Sequence, residues 1–271
     1  MIKKIGIDAG GSFIKIAYEE NAKLHYKSFL SNNVDETVTW INLLFSDAQK
    51  ILTGGRAKEL HRKLKDEVEI ISEFDAALYG VKYILNDEYH ISLDDYLIVI
   101  IGTGTSILLV KGEQQVRITG SGMGGGTFLG LGSLLTNIHQ YEQLVELAAN
   151  GNRNSIDLMV ADIYENSDTP IPGDLTAANF AKVYGESGLT TLSDRMASLV
   201  NMIAETICLL IQQFVHTNNI QHVVCIGGGL KGNIPLQMAL KRNFHLVQVT
   251  SYFPSSGQFA GAIGALYNNN Q

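Results

Sequence analysis

Residues 6–15, GIDAGGSFIK, gather an aspartate (Asp8), two glycines (Gly10, Gly11), a hydroxyl (Ser12) and a lysine (Lys15). Glycine clusters recur at IGTGTS, which holds Gly102, Thr103, Gly104 and Ser106, in the 122–132 segment around Gly124, Gly125 and Gly126, and at Gly227, Gly228 and Gly229. Glycine lets a backbone approach an anion closely, turn amides aim N–H groups at it, and hydroxyls and an ammonium add donors, so such sets suit a grip on phosphate. Any one of them alone reads first as a tight turn after a strand; four after strands, three with adjoining Ser, Thr or Lys, favour the phosphate reading.

Two common phosphate motifs do not fit. A dinucleotide fingerprint needs its glycine turn to open a helix, whereas FIKIAY and SILLV follow here and are extended runs. A P-loop needs GxxxxGK followed by Ser or Thr, and the chain contains no such string. What remains is a clamp built from β-hairpin turns. Phosphoryl transfer to an alcohol asks for little else than held phosphates, neutralised charge and a carboxylate to take the proton. Asp8 suits the metal end, on Mg²⁺ directly or through water, or is a turn former at a strand end. Lys15 lies across the hairpin, within reach of β/γ-phosphates or simply exposed. Glu73 opens a helix, where the dipole favours its ionised form, a position that capping alone also explains.

The elements that position these groups follow from periodicity. KKIGID and FIKIAY read as a hairpin and KLHYKSFL as a third strand; DETVTWINLLFSDAQK, residues 35–50, has helical spacing, and ILTGG is a short strand entering a glycine turn. After the strand VEIIS comes the amphipathic helix EFDAALYGVKYILNDE, with Asp75 as a capping partner. Residues 95–119 then repeat the opening layout of strand, glycine-hydroxyl turn, strand, turn and strand, which implies two related halves. A helix over 141–150, a loop around TPIPGD, a long helix over 192–217, the buried strand HVVCI and a terminal helix rich in small residues complete the order. The domain join is expected near residue 72.

Read together, GIDAGGSFIK, TGG, EFDAA, GTGTS, VRITGSGMGGGTFLGLG, PGDLTAANF and GAIGALY resemble the type II pantothenate kinases, a branch of the acetate and sugar kinase, heat-shock ATPase and actin superfamily. The resemblance spans nearly the whole chain, and residues 117–131 are its most specific part. It implies an α/β, two-lobed actin-like (ribonuclease H-like) fold, with a smaller lobe over 1–72, a larger one over 73–271 and the nucleotide in the cleft between them. It implies ATP and Mg²⁺ as cofactors, pantothenate as the acceptor and a homodimer, through the long helix or its neighbours. Residue by residue, it makes Glu73 the general base, oriented by Arg117. Thr103, Ser106 and Arg117 hold pantothenate. Asp8, Gly10, Gly11, Ser12, Lys15, Thr103, Gly104, Gly124, Gly125, Gly126 and Gly228 hold ATP and its phosphates. Ser12 stands where the family usually has threonine. SYFPSSGQF, residues 251–259, departs further, so that Tyr252 and Phe253 either close over substrate or pack the last helix.

Rival readings make different demands. A sugar kinase of this fold commonly carries a cysteine-rich zinc loop and an ExGH segment, both absent here. An ATPase activator of acyl-CoA dehydratases holds an iron–sulfur cluster on exposed cysteines, whereas Cys208 and Cys225 sit in apolar stretches and are expected to be buried free thiols. A non-catalytic nucleotide-binding module would lose the base or phosphate ligands, which are present.

Composition narrows the field further. The net charge of −7 argues against a nucleic-acid or anionic-membrane partner. The basic run from Arg56 to Lys65, interrupted by Glu59, reads as a solvated helix face. Apolar runs such as residues 97–110 are broken by glycine and hydroxyls, so no membrane span is expected, and a cytoplasmic location follows from the absence of a signal-peptide pattern.

Overall fold

A computed structural model of the chain describes residues 2–64, 67–164, 169–185 and 190–268. In chain order the elements are β1 (Lys4–Ala9), β2 (Phe13–Glu20), β3 (Lys23–Leu30), α1 (Val34–Leu44), β4 (Gln49–Thr53), α2 (Ala57–Leu64), β5 (Val68–Ile70), α3 (Glu73–Tyr89), β6 (Asp95–Ile101), β7 (Thr105–Lys111) and β8 (Gln114–Ser121). There follow α4 (Gly125–Thr136), α5 (Tyr141–Asn150), β9 (Leu158–Met159), α6 (Val160–Ile163), β10 (Thr176–Ala178), α7 (Lys182–Gly185), α8 (Leu192–Asn218), β11 (His222–Ile226), α9 (Ile234–Leu246), β12 (Thr250–Tyr252) and α10 (Ala260–Leu266).

The two five-stranded sheets have the same plan. The first runs β3-β2-β1-β4-β5 and the second β12-β11-β6-β7-β8, which read from the hairpin side is 8-7-6-11-12. In each, an antiparallel hairpin is extended by parallel strands: β4 beside β1, and β11 beside β6. The duplication expected from the repeated glycine-hydroxyl hairpins is therefore present in the strand order.

Contacts divide the chain into two compact units. The first comprises residues 1–120, 220–228 and 250–271, and the second 121–219 and 229–249. Both sheets belong to the first unit, and the join expected near residue 72 falls between β5 of one sheet and α3, which leads to the other.

Within the first unit, alternation along β2 sends Ile14 and Ile16 into a core with Ile5, Ile7, Ile41 and Leu52. A second cluster joins Ala77, Val81 and Ile84 of α3 to Ile98, Leu108, Val224 and Ile263. Helices α3 and α10 meet backbone to backbone: a Cβ added at Gly80 would lie 1.9 Å from Ala260 O, and one at Gly264 would lie 1.7 Å from Ala76 O. The small residues of the terminal helix serve this close packing.

In the second unit, α8 is 27 residues long and apolar enough to cross a bilayer by length and composition, although polar residues interrupt its apolar ones throughout. Met196, Leu199, Ile203, Ile207 and Ile211 are buried along it, and it packs on α4, α5 and α9, as the core helix of this unit. Its start is fixed by a capping box, in which Thr191 Oγ1 accepts from Asp194 N while Thr191 N donates to the Asp194 carboxylate.

Three expectations need correction. Helix α1 stops at Leu44 rather than running to residue 50, because Phe45 and Ala48 turn into the core and Gln49 begins β4 alongside β1. Helix α9 was not anticipated; Asn233 caps it by accepting from Leu236 N, and Pro235 sits in its first turn. Asp75 is no cap: Ser72 takes that role by accepting from Phe74 N, and Asp75 Oδ1 accepts from Gln115 Nε2. Both cysteines are buried and free, and burial pushes the Cys208 thiol up to about 11 and that of Cys225 higher still. The basic run forms α2 as far as Leu64, with Arg56 paired to Glu59; Lys65 lies outside the described residues.

Candidate functional site

In the β1–β2 hairpin, Asp8 and Lys15 are direct cross-strand partners. Lys15 Nζ lies 3.6 Å from Asp8 Oδ2, and both side chains keep some exposure, 14% and 19%. The turn between them is closed by Gly10 N donating to Phe13 O, and Gly11 and Ser12 are exposed at its tip. The β6–β7 turn is closed by Gly102 N donating to Gly104 O. The two turns meet: Ser12 Oγ and Thr103 Oγ1 are 3.1 Å apart in a hydrogen bond. Gly228 faces the same place, since a Cβ there would lie 3.8 Å from Lys15 Nζ. Asp8, Gly10, Gly11, Ser12, Lys15, Thr103, Gly104 and Gly228 therefore lie on neighbouring turns of the first unit.

The two parallel strands beside the hairpins end in matching glycines with positive φ. Gly54, after β4, has φ +90°, and a Cβ there would lie 2.6 Å from Ala9 O; Gly227, after β11, has φ +111°, and its Cβ would lie 2.3 Å from Ile101 O. Only glycine permits both the conformation and the approach. Gly54 also faces Asp8 Oδ1, at 2.6 Å from its added Cβ, and Gly261 faces Asp8 Oδ2, at 3.0 Å. Both carboxylate oxygens thus look onto space that any side chain would fill. An oxygen donor in such a cradle suits Mg²⁺, which binds through one or two carboxylates with waters and substrate phosphates. Among the described residues no three His, Cys, Asp or Glu side chains gather to make a dedicated metal cage.

Glu73 occupies the first position of α3, directly after the Ser72 cap, and remains open to solvent. Partial burial pushes its pKa up, the Asp8 carboxylate pushes it further, and the Arg117 charge pulls it back, leaving it above the ordinary value. Glu73 thus lies in the electrostatic reach of both Asp8 on β1 and Arg117 on β8. Arg117 itself donates from Nε to Ser106 Oγ at 3.5 Å, on the neighbouring strand β7, so it acts on Glu73 as a charge rather than through a hydrogen bond. Gly120 gives its guanidinium room, since a Cβ there would fall 2.3 Å from Nη2.

Two groups at the first turn escaped sequence reasoning. Ser31, 3% exposed, donates from Oγ to Gly10 O at 2.8 Å and from its N–H to Ser12 O at 3.0 Å. Arg56 donates from its N–H to Ala9 O and from Nη1 to Ser31 O at 2.6 Å. With these carbonyls bonded from behind, the turn is fixed in the shape that leaves its tip free for a ligand. Their positions, 25 residues apart and away from the motif, gave no local signal.

In the second unit, Gly124 precedes α4, and Gly125 and Gly126 form its first turn. Thr127 Oγ1 donates to Gly122 O and Met123 N to Ser121 Oγ, which shape the approach to that helix start. Tyr141, partly buried and edge-on to Phe128, donates its hydroxyl to Gly229 O at 3.0 Å. At the chain's later end, Tyr252 stacks edge-on against Tyr89 and its hydroxyl meets His222 Nδ1, so it packs within the first unit.

Comparison with known proteins gives a consistent picture. The model of the family described as Fumble matches residues 4–268. The chain is similar to the type II pantothenate kinase of Oceanobacillus iheyensis, with 42% identity over 268 residues that cover 99% of this chain and 100% of the relative. It is similar also to the type II pantothenate kinase of Staphylococcus saprophyticus, with 39% identity covering 97% and 99%. Among solved structures, component A of the Acidaminococcus fermentans (R)-2-hydroxyglutaryl-CoA dehydratase superposes with a TM-score of 0.65 at 17% identity, covering 98% and 96%. A ROK family glucokinase from Streptomyces griseus, in complex with glucose and AMPPNP, gives 0.60 at 12% identity, covering 98% of both chains. At such identities these two show the fold alone, that of the actin-like ATPases and sugar kinases.

Proposed function

This chain belongs to the Fumble family, together with the type II pantothenate kinases it matches end to end, and we propose how its residues do that work. The protein phosphorylates pantothenate with ATP to 4′-phosphopantothenate, the first step of coenzyme A synthesis. The observation that carries the residue assignment is Glu73: a solvent-open carboxylate at a helix start whose pKa is raised by partial desolvation and by the Asp8 carboxylate and lowered by Arg117.

In this proposal the amides of the Gly10–Ser12 turn, Lys15, Thr103 and Gly104 hold the transferring phosphate oxygens, with Gly228 leaving space beside Lys15. Gly124, Gly125 and Gly126 contribute nucleotide contacts from the start of α4, where free N–H groups favour an anion. Asp8 holds Mg²⁺ directly or through water, and when bound the ion supplies positive charge to the phosphates. Thr103, Ser106 and Arg117 hold pantothenate, with its primary hydroxyl toward Glu73. The Glu73 carboxylate accepts the hydroxyl proton as the oxygen attacks phosphorus in line; the bond from phosphorus to the ADP oxygen breaks, and ADP leaves with that electron pair. A raised pKa makes Glu73 a stronger base, while Arg117 keeps enough of it ionised to act.

The same proposal assigns residues 1–72 to the smaller lobe with the first hairpin. Residues 73–271 form the larger lobe, with the second hairpin, the pantothenate contacts and a homodimer interface along α8 or its neighbours. The enzyme works in the cytoplasm. ADP release from MgATP by purified protein, scanned over pantothenate, sugars, acetate and no acceptor, tests the reading: release with pantothenate alone supports it. Release only with a sugar, or without any acceptor, would keep the fold and overturn the function.

A further inference from the structure

The second unit carries a pocket of about 540 Å³, open to solvent, between the C-terminal end of α5, α8 and α9. That volume is in the range of small-molecule sites. Much of its lining is apolar, with Val200, Ile234 and Met238 the larger side chains, and its polar side is formed by Asn152, Arg153, Asn154, Asp174, Asn201 and Arg242.

The two arginines differ in how they are satisfied. Arg153 donates to Thr176 Oγ1 at 2.6 Å and to Asp174 O at 2.9 Å, and its Nη1 is 3.7 Å from Asp157 Oδ2. Arg242 is exposed to solvent and donates from Nη2 to Oδ1 of the buried Asn201 at 2.5 Å. Among the described residues no carboxylate reaches ion-pair distance of Arg242, and Arg153 is close enough for the two positive charges to oppose each other. Nearby carboxylates are engaged elsewhere. Glu205 accepts from Thr176 Oγ1 and Asn179 Nδ2, and Asp157 from Ser198 Oγ and Phe180 N. Asp174 alone faces the cavity as an acid, against two guanidiniums. Partial desolvation and the Arg153 charge both lower the Arg242 pKa, although Glu205 and Asp174 oppose that shift. A guanidinium with its remaining donors turned to a cavity is a fork that matches phosphate or carboxylate oxygens.

We propose that this cavity is a second ligand site, which takes a small oxyanion, phosphate or carboxylate, between Arg242 and Arg153. The buried Asn201 fixes the Arg242 head, and the apolar wall receives whatever carbon body the anion carries. None of these residues belongs to the phosphate turns or to the acceptor site.

Equilibrium dialysis of radiolabelled inorganic phosphate against the full chain tests the proposal, with saturating MgADP present to fill the hairpin turns. Saturable binding to the wild type is expected, weakened at least about tenfold in Arg242→Gln, with pantothenate-dependent turnover in that variant within about twofold of wild type. Succinate as competitor separates the two sources: displacement shows that carboxylates share the site, and failure to displace restricts it to phosphoryl groups. Should Arg242→Gln not fold, Arg242→Lys keeps the charge and loses the fork, and is expected to bind more weakly than wild type. Absence of saturable phosphate binding in the wild type, or binding unchanged in a folded Arg242 variant, would overturn the proposal.

Discussion

Burial and the Asp8 carboxylate raise the pKa of Glu73, and Arg117 lowers it. A base works only when ionised, so turnover should fall with acidity through that raised pKa, above the ordinary glutamate value of about 4.3. Removing the positive charge in Arg117→Gln should move the acid limb of kcat, measured at saturating pantothenate, to still higher pH; a limb that stays in place would separate the profile from Glu73. Ser31 calls for a different readout, because it touches the turn rather than the reacting atoms. Ser31→Ala removes the bond to Gly10 O, a loss of about 0.5–1.5 kcal/mol. Raised KM for ATP by roughly three- to tenfold with kcat less affected is expected; an equal fall in kcat at unchanged KM would contradict a positioning role. Position made Asp8, Lys15 and Glu73 candidates, beside a glycine turn or at a helix start, and the resemblance of GIDAGGSFIK and EFDAA to the family supplied the roles of Lys15 and Glu73. Ser31 and Arg56 were not legible in the sequence, because their meaning arises when the chain brings residues 31 and 56 behind the turn.

At the scale of elements, the close contacts of α3 with α10 make Gly80 and Gly264 sensitive positions. Gly80→Ala would force the helices apart and is expected to cost about 1–3 kcal/mol or more by overpacking, seen as a lower urea midpoint. An unchanged midpoint would show that the helices can separate without penalty. The hairpins and the long core helix were readable because alternation and a 3.6-residue period are local properties. The end of α1 at Leu44 was not, because pairing of Gln49–Thr53 with β1 competes with helical propensity and wins. Helix α9 was also hidden: its start shows Asn233 and Pro235, yet Lys241, Arg242 and exposed Met238 blur its apolar face.

Across the whole molecule, the two sheets repeat one plan, and the Gly54 and Gly227 turns repeat within it. The repeat of glycine-hydroxyl turns announced that plan, whereas the division of contacts into residues 1–120, 220–228 and 250–271 against the rest depends on where distant segments pack. One thiol lies in each unit, Cys225 in the first and Cys208 in the second, both buried with raised pKa values. Neither should react with a thiol reagent in the native protein, and their reaction rates under rising urea should report the opening of each unit separately; fast labelling without denaturant would contradict their burial. The central claim rests on Glu73 as the base. The most direct measurement is pantothenate-dependent turnover of Glu73→Gln beside its affinity for MgADP: the account predicts a loss of about 10²–10⁴-fold in kcat with nucleotide binding retained, and near-normal turnover in that variant would contradict it.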